Sequence, residues 1–214
     1  MALIINEIFH SIQGESTFAG RPCVFVRLAG CNLRCTYCDT RYAYDGGRSM
    51  EIPEIIALAK GFGCSLIEIT GGEPLLQQET PALAGVLLEN GYRVLVETNG
   101  SYDIACLDPA CIKILDIKCP GSGEAHRCDM ANLNRLSPSD QVKFVITSRE
   151  DYRYAKNVMQ GVPQHVPRGN LLLSPVHDKL PVSELARWMI EDRLTARLQL
   201  QLHKYIWPGV ERGV

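Results

Sequence analysis

Strand-sized runs of apolar residues recur along the chain at Val24 to Leu28, Leu66 to Thr70, Tyr92 to Thr98, Ile112 to Ile117, Gln141 to Ile146, Leu171 to Ser174 and Leu198 to Leu202. Between several of them the apolar residues change to helical spacing. Pro53 opens a predicted helix through EIIALAK that stops at Gly61, and PALAGVLLENG carries a second that stops at Asn90-Gly91. Ser148 and Ser183 are the predicted N-caps of helices through REDYRYAKNVMQ and ELARWMIED. Strands alternating with helices in this rhythm predict an α/β fold on a parallel sheet with right-handed crossovers.

Two gaps break the rhythm. Asn99 to Cys111 leave little room for a helix, and the stretch KCPGSGEAHRCDM after Ile117 reads as a loop. An incomplete, TIM-like barrel with some helices replaced by loops therefore fits better than a full eightfold one. No linker, internal repeat or low-complexity segment marks a second unit, so residues 1–214 are expected to form a single domain. The strand ends carry polar or glycine signatures. VFVRLAGC runs into a cysteine loop, LIEITGGEP into a glycine turn, VLVETNG into Glu97, Thr98 and Asn99, and ILDIK into Asp116 and Lys118. Chemistry in such sheets sits at the carboxyl ends of the strands, so these four ends are expected to share one pocket.

Composition narrows the partners. With 46% hydrophobic and 21% charged residues and a formal net charge of -2, the chain reads as a soluble globular protein. It lacks the cationic excess that nucleic acid or an anionic membrane attracts. MALIINEIFH has no basic segment and is interrupted by Glu7 and His10, unlike a signal peptide. A cytoplasmic protein is expected, and there nine cysteines point to metal or redox use rather than to disulfide staples.

Three of those cysteines, Cys31, Cys35 and Cys38, fall within CNLRCTYCDT. A closed zinc site needs a fourth ligand, which Cys23, His10 or a distant cysteine would have to supply. A cubane iron–sulfur cluster held by three thiolates instead leaves one iron open to a small molecule. Spacing alone allows either. Cys106, Cys111, Cys119 and Cys128 are spaced too widely for a compact ligand loop.

Cys31-x3-Cys35-x2-Cys38 with aromatic Tyr37, and GGEP at Gly71 to Pro74, resemble the two signatures of radical S-adenosylmethionine enzymes. FHSIQGEST, CDT, VETNGS, DIKCPGSGE and HKYIW extend the resemblance over almost the whole chain to the 7-carboxy-7-deazaguanine synthase family. QGE together with CDT distinguishes it from glycyl-radical activases, which share the cysteine spacing. The resemblance implies a partial barrel of radical SAM type and a homodimer. It also implies a 4Fe-4S cluster on Cys31, Cys35 and Cys38, S-adenosylmethionine, magnesium, and an external electron donor of flavodoxin or ferredoxin type. The implied reaction is radical ring contraction of 6-carboxy-5,6,7,8-tetrahydropterin, with loss of ammonia. Carried over residue by residue, it assigns Tyr37, Cys38, Asp39, Gly72 and Lys118 to S-adenosylmethionine and Thr40 to magnesium. Ile12, Gln13, Gly14, Glu15, Arg27 and Thr70 go to the substrate, Arg27 as a fork for its carboxylate and Glu15 for its amidine-like edge. Residue types alone also fit a polar turn at Gln13 to Glu15, a solvent-facing Arg27, an Asp39-Thr40 turn, and surface positions for His203 and Lys204.

Overall fold

The computed structural model describes residues 1–214. Strands β1 (Ala2–Ile12), β2 (Pro22–Leu28), β3 (Arg48–Glu51), β4 (Leu66–Gly71), β5 (Arg93–Thr98), β6 (Ile112–Asp116), β7 (Gln141–Ile146), β8 (Leu171–Pro175) and β9 (Arg197–Leu198) form one sheet. Its order is β3-β1-β2-β4-β5-β6-β7-β8-β9. β1 is antiparallel to β2 and β3, and every other neighbouring pair is parallel. The edge strands β3 and β9 do not pair, so the sheet is a partial barrel, as the two gaps predict. The connections from β5 to β6 and from β6 to β7 contain only short 3-10 turns.

Helices α1 (Ile52–Gly61), α2 (Thr80–Glu89), α3 (Arg149–Gln160) and α4 (Val182–Glu191) fill the other crossovers, and a short α5 (Leu202–Ile206) follows β9. α1 is held by a capping box between Glu51 and Glu54 with Pro53 in its first turn. Ser148 caps α3 as predicted, accepting from the Asp151 amide. Ser183 does not cap α4. The Pro181 carbonyl already accepts from the Glu184 and Leu185 amides at 3.0 and 3.3 Å, so the helix begins before Ser183. The expected strand from Leu198 to Leu202 is also cut short. After Leu198 the chain turns, and the Leu202 amide donates to the Gly14 carbonyl at 2.9 Å to begin α5.

Periodicity did not predict β1, and its register shows why. Ile5 pairs with Leu28 but Glu7 with Arg27, so Asn6 is an extra residue in a β-bulge. The bulge breaks the two-residue alternation. Leu3 and Ile5 join the main core of 39 buried residues between sheet and helices, whereas Phe9 faces the concave side with Cys23, Phe25, Leu66, Leu95 and Ile114. β3 is only four residues long and alternates weakly.

Candidate active site

On the concave face the strands change from apolar to polar toward their carboxyl ends. Two residues beyond Phe25, Leu66, Leu95 and Ile114 stand Arg27, Glu68, Glu97 and Asp116, which with Thr70 and Lys143 line a cavity of about 810 Å³. The same cavity is lined by Ile12, Gln13, Gly14, Glu15, Cys31, Cys35, Tyr37, Cys38, Asp39, Thr40, Gly72 and Lys118. All the site residues expected from the sequence therefore meet in one place.

Gly30, at φ +94°, turns the chain out of β2 into the cysteine loop. The loop is braced from both ends. The Arg34 guanidinium donates to the Cys31 and Leu33 carbonyls at 2.8 and 2.7 Å, and the Thr36 hydroxyl donates to the Gly121 carbonyl at 2.8 Å. Cys31, Cys35 and Cys38 are free thiols, and the Leu33 amide donates to Cys31 Sγ at 3.4 Å. Burial raises Cys31 and pushes Cys35 up to about 11. Gly72 packs so tightly on this loop that a Cβ there would lie 2.2 Å from the Gly30 carbonyl oxygen and 2.6 Å from Cys31 Cβ. Next to it, wholly buried Glu73 accepts from the Thr98 hydroxyl and Asn99 amide at 2.7 Å and from the Leu75 amide at 2.9 Å. Burial pushes its carboxyl up to about 7. Glu73 thus joins the GGEP turn to the end of β5, and its own amide donates to the Gly30 carbonyl at 2.8 Å.

The floor is an ionic cluster. Lys143 Nζ lies 2.6 Å from Glu15, 2.7 Å from Glu97 and 4.0 Å from Asp116. Burial opposes ionisation of Glu15, but Lys143 outweighs it and holds that carboxyl below its ordinary range. Burial, then the neighbouring Glu97, raises Glu68 well above its own. Glu15 also accepts from Gln199 and Gln201 at 3.0 and 3.2 Å. The Gln13 amide is committed to internal bonds, donating to Glu68 and accepting from the Glu15 backbone. It stiffens the QGE segment, so only its remaining edges face the cavity. Arg27 Nε donates to Glu7 at 2.8 Å, which leaves the two terminal nitrogens of the fork.

At the mouth, Asp39 pairs with Lys204 at 2.7 Å and accepts from the Thr40 hydroxyl at 3.1 Å. Burial opposes ionisation of Asp39, but Lys204 and the hydroxyl hold its carboxyl below the ordinary range. Lys118 donates to Asp116 at 2.7 Å. Buried Tyr37 Oη and Asp116 Oδ1 have no hydrogen-bond partner in the protein. The residues fit an iron–sulfur cluster with an organic cofactor. Three free thiols line one cavity beside a glycine cradle and two orphaned polar atoms.

Residues 26–184 match the model of the radical SAM superfamily. The chain is 42% identical over 227 residues to the 7-carboxy-7-deazaguanine synthase of Koribacter versatilis, covering 98% of this chain and 99% of that one. It is 45% identical over 217 residues to the synthase of Chlorobaculum tepidum, at 99% and 97% coverage. The chain belongs to the 7-carboxy-7-deazaguanine synthase family. Its fold matches the crystal structure of QueE from Escherichia coli with a TM-score of 0.77 over 94% of both chains at 23% identity.

For a member of this synthase family, the structure adds residues that sequence reasoning did not single out. Glu68 and Lys143 are charged residues inside apolar strands, in LIEIT and QVKFVI, and that pattern was their only signal. His203 and Lys204 are half-buried and line the cavity instead of lying free in solvent. A Cβ on Gly14 would fall 2.3 Å from His203 Nδ1, Lys204 bonds Asp39, and residues 207–211 and Val214 line the cavity after them. Cys111 and Cys119 sit in the main core and Cys128 packs against it. No helix is long and apolar enough to cross a membrane.

Proposed function

We propose that the chain, acting as one radical SAM domain over residues 1–214, is a carbon–nitrogen lyase. It converts 6-carboxy-5,6,7,8-tetrahydropterin to 7-carboxy-7-deazaguanine with loss of ammonia. The observation that carries this reading is the meeting of Cys31, Cys35 and Cys38 with Glu15, Arg27 and Thr70 in one cavity. Cys31, Cys35 and Cys38 would hold the 4Fe-4S cluster, which when bound supplies the electron that cleaves S-adenosylmethionine. Tyr37 to Asp39, the Gly72 backbone and Lys118 bind that cofactor, and the orphaned Tyr37 hydroxyl and Asp116 oxygen remain for it.

The substrate lies against the other half of the cavity. Arg27 keeps its terminal fork for the carboxylate because Glu7 engages only Nε, and bidentate recognition fixes orientation as well as charge. Glu15, held by Lys143 through Oε2, presents an anionic edge to the amidine-like end of the pterin, with Ile12 to Gly14 alongside. Thr40 offers magnesium a hard oxygen beside Asp39, in keeping with an ion that retains several waters and takes few protein ligands. The chain works as a cytoplasmic homodimer with an external one-electron donor of flavodoxin or ferredoxin type. Its nine unpaired cysteines suit a reducing compartment.

Anaerobic reconstitution followed by turnover tests the proposal. The cluster should appear in the visible spectrum, S-adenosylmethionine should be cleaved, and 7-carboxy-7-deazaguanine should form from the carboxytetrahydropterin. Cofactor cleavage without that product would refute the substrate assignment.

A further inference from the structure

One carboxylate ties three separate segments to the substrate side of the cavity. Glu7 Oε1 accepts from Arg27 Nε at 2.8 Å and from the Tyr42 hydroxyl at 2.9 Å, while Oε2 accepts from the Gly213 amide at 3.2 Å. Arg212 lies over the Tyr42 ring at 4.4 Å, and the Arg27 guanidinium stands 5.8 Å from the same ring. Strand β2, the loop after the cysteines and the tail after α5 therefore converge on Glu7. Its position depends on the bulge at Asn6. Without the extra residue, Glu7 would share the face of Ile5 and point into the aliphatic core. The bulge costs one irregular step in β1 and places a carboxylate on the cavity face, directly across from Arg27.

The two ends of this carboxylate serve different partners. Oε1 engages the guanidinium through Nε and so sets its rotation about the side-chain axis, leaving the terminal fork aimed elsewhere. Oε2 reaches a backbone amide of the segment that roofs the cavity. A tail that leaves would remove one of the donors balancing Glu7, and an Arg27 that swings away would loosen the anchor of the tail. Glu7 and Arg27 are both largely buried, with side chains 17% and 13% exposed, so the bond between them is poorly replaced by water, whereas the bond to the Gly213 amide is exposed.

We propose that Glu7 is a positioning residue that couples closure of the 207–214 tail to the orientation of Arg27 toward the substrate carboxylate. This rests on the reading of Arg27 as the carboxylate fork. The test uses the reconstituted enzyme under anaerobic conditions and measures three quantities in the parent, Glu7→Gln, Arg27→Lys and Arg212→Ala. They are the Kd values for carboxytetrahydropterin and for S-adenosylmethionine, and hydrogen exchange of the C-terminal peptide with and without the pterin. Glu7→Gln should weaken pterin binding about tenfold, the loss expected for one charge-assisted hydrogen bond, and leave cofactor affinity within about twofold. The pterin should protect the tail peptide in the parent and fail to do so in Glu7→Gln. Arg212→Ala, at an exposed position that does not threaten folding, should speed exchange of the tail about two- to threefold, as loss of one exposed cation–π contact implies. If the pterin protects the tail of Glu7→Gln as it does the parent's, the coupling is refuted. It is equally refuted if Arg27→Lys loses pterin affinity while Glu7→Gln keeps it. If Arg27→Lys keeps full pterin affinity, the carboxylate-fork reading fails instead, and the exchange data still report whether Glu7 anchors the tail.

Discussion

Replacing Lys143 by Met removes the cation that pairs Glu15 at 2.6 Å and Glu97 at 2.7 Å, and leaves Asp116, 4.0 Å away, with Lys118 alone. Breaking a buried charge pair by removing one partner costs about 3–5 kcal/mol, a large part of the roughly 5–15 kcal/mol that holds a domain together. The loss should depend on pH, and its sign follows from the carboxylates. In the parent, Glu15 is held below its unfolded value, so its contribution is present above that value and lost as pH falls through the folded one. Without Lys143, burial dominates and raises Glu15 above its unfolded value, and it raises Glu97 further than in the parent. Stability that such groups provide is present at low pH and lost as pH rises, by up to about 1.4 kcal/mol per pH unit for each proton released. The deficit of Lys143→Met should therefore be greatest near pH 8 and smaller at pH 5. Urea unfolding of parent and variant at several pH values, with the slopes checked for constancy, measures it. A deficit below about 1 kcal/mol, or one equal at pH 5 and pH 8, would contradict the claim that Lys143 neutralises this floor. Adding Glu15→Gln and Glu97→Gln to the variant should restore much of the stability and flatten the pH dependence.

Three further outcomes are expected. Alanine at Cys31, Cys35 or Cys38 should abolish cluster loading, read from the visible spectrum, and all S-adenosylmethionine cleavage, whereas alanine at Cys106, Cys111 or Cys128 should spare both. Arg27→Lys keeps the charge but loses the fork, and should cost about 1.5–3 kcal/mol of substrate binding in equilibrium titrations with cofactor affinity unchanged. Thr40→Ala should keep the cluster and uncoupled cofactor cleavage while losing magnesium stimulation and most product, and Thr40→Ser should retain much of both. An alanine variant that responds to magnesium like the parent would place the ion elsewhere.

The site was legible where chemistry sits in compact loops and obscure where it depends on strand faces. Cys31, Cys35, Cys38, Gly72 and Lys118 carry their meaning in spacing or in a strand end, and each lines the cavity as expected. Lys143 and Glu68 are isolated charges in apolar strands. Which face of the sheet they occupy depends on register, and register is a long-range property. β1 stayed hidden because a single extra residue at Asn6 erased its alternation. Lys204 could not be placed at all from sequence, since its partner Asp39 lies 165 positions away and nothing local distinguishes it from a solvated lysine. The missing helices, by contrast, were legible locally, because Asn99 to Cys111 leaves little room for a helix and its turns and the Gly/Pro-containing stretch after Ile117 reads as a loop.

The contacts also divide the cavity into two braced halves. Glu73 locks the GGEP turn to the cysteine loop and to the end of β5, so the residues assigned to the cluster and to S-adenosylmethionine form one unit. Lys143 and the tail brace the residues assigned to the substrate. Asp116, bonded to Lys118 on one side and 4.0 Å from Lys143 on the other, links the two halves, and Asp39 does so at the mouth through Lys204. Such a layout lets the cofactor half keep its geometry when the floor is disturbed. Damage at Lys143, Glu15 or Arg27 should therefore appear as cofactor cleavage without product, and damage at Gly72 or Glu73 as loss of both. The two linking acids are each paired with a lysine. At Asp116, 10% exposed, an unpaired carboxylate would be a largely buried charge without a partner.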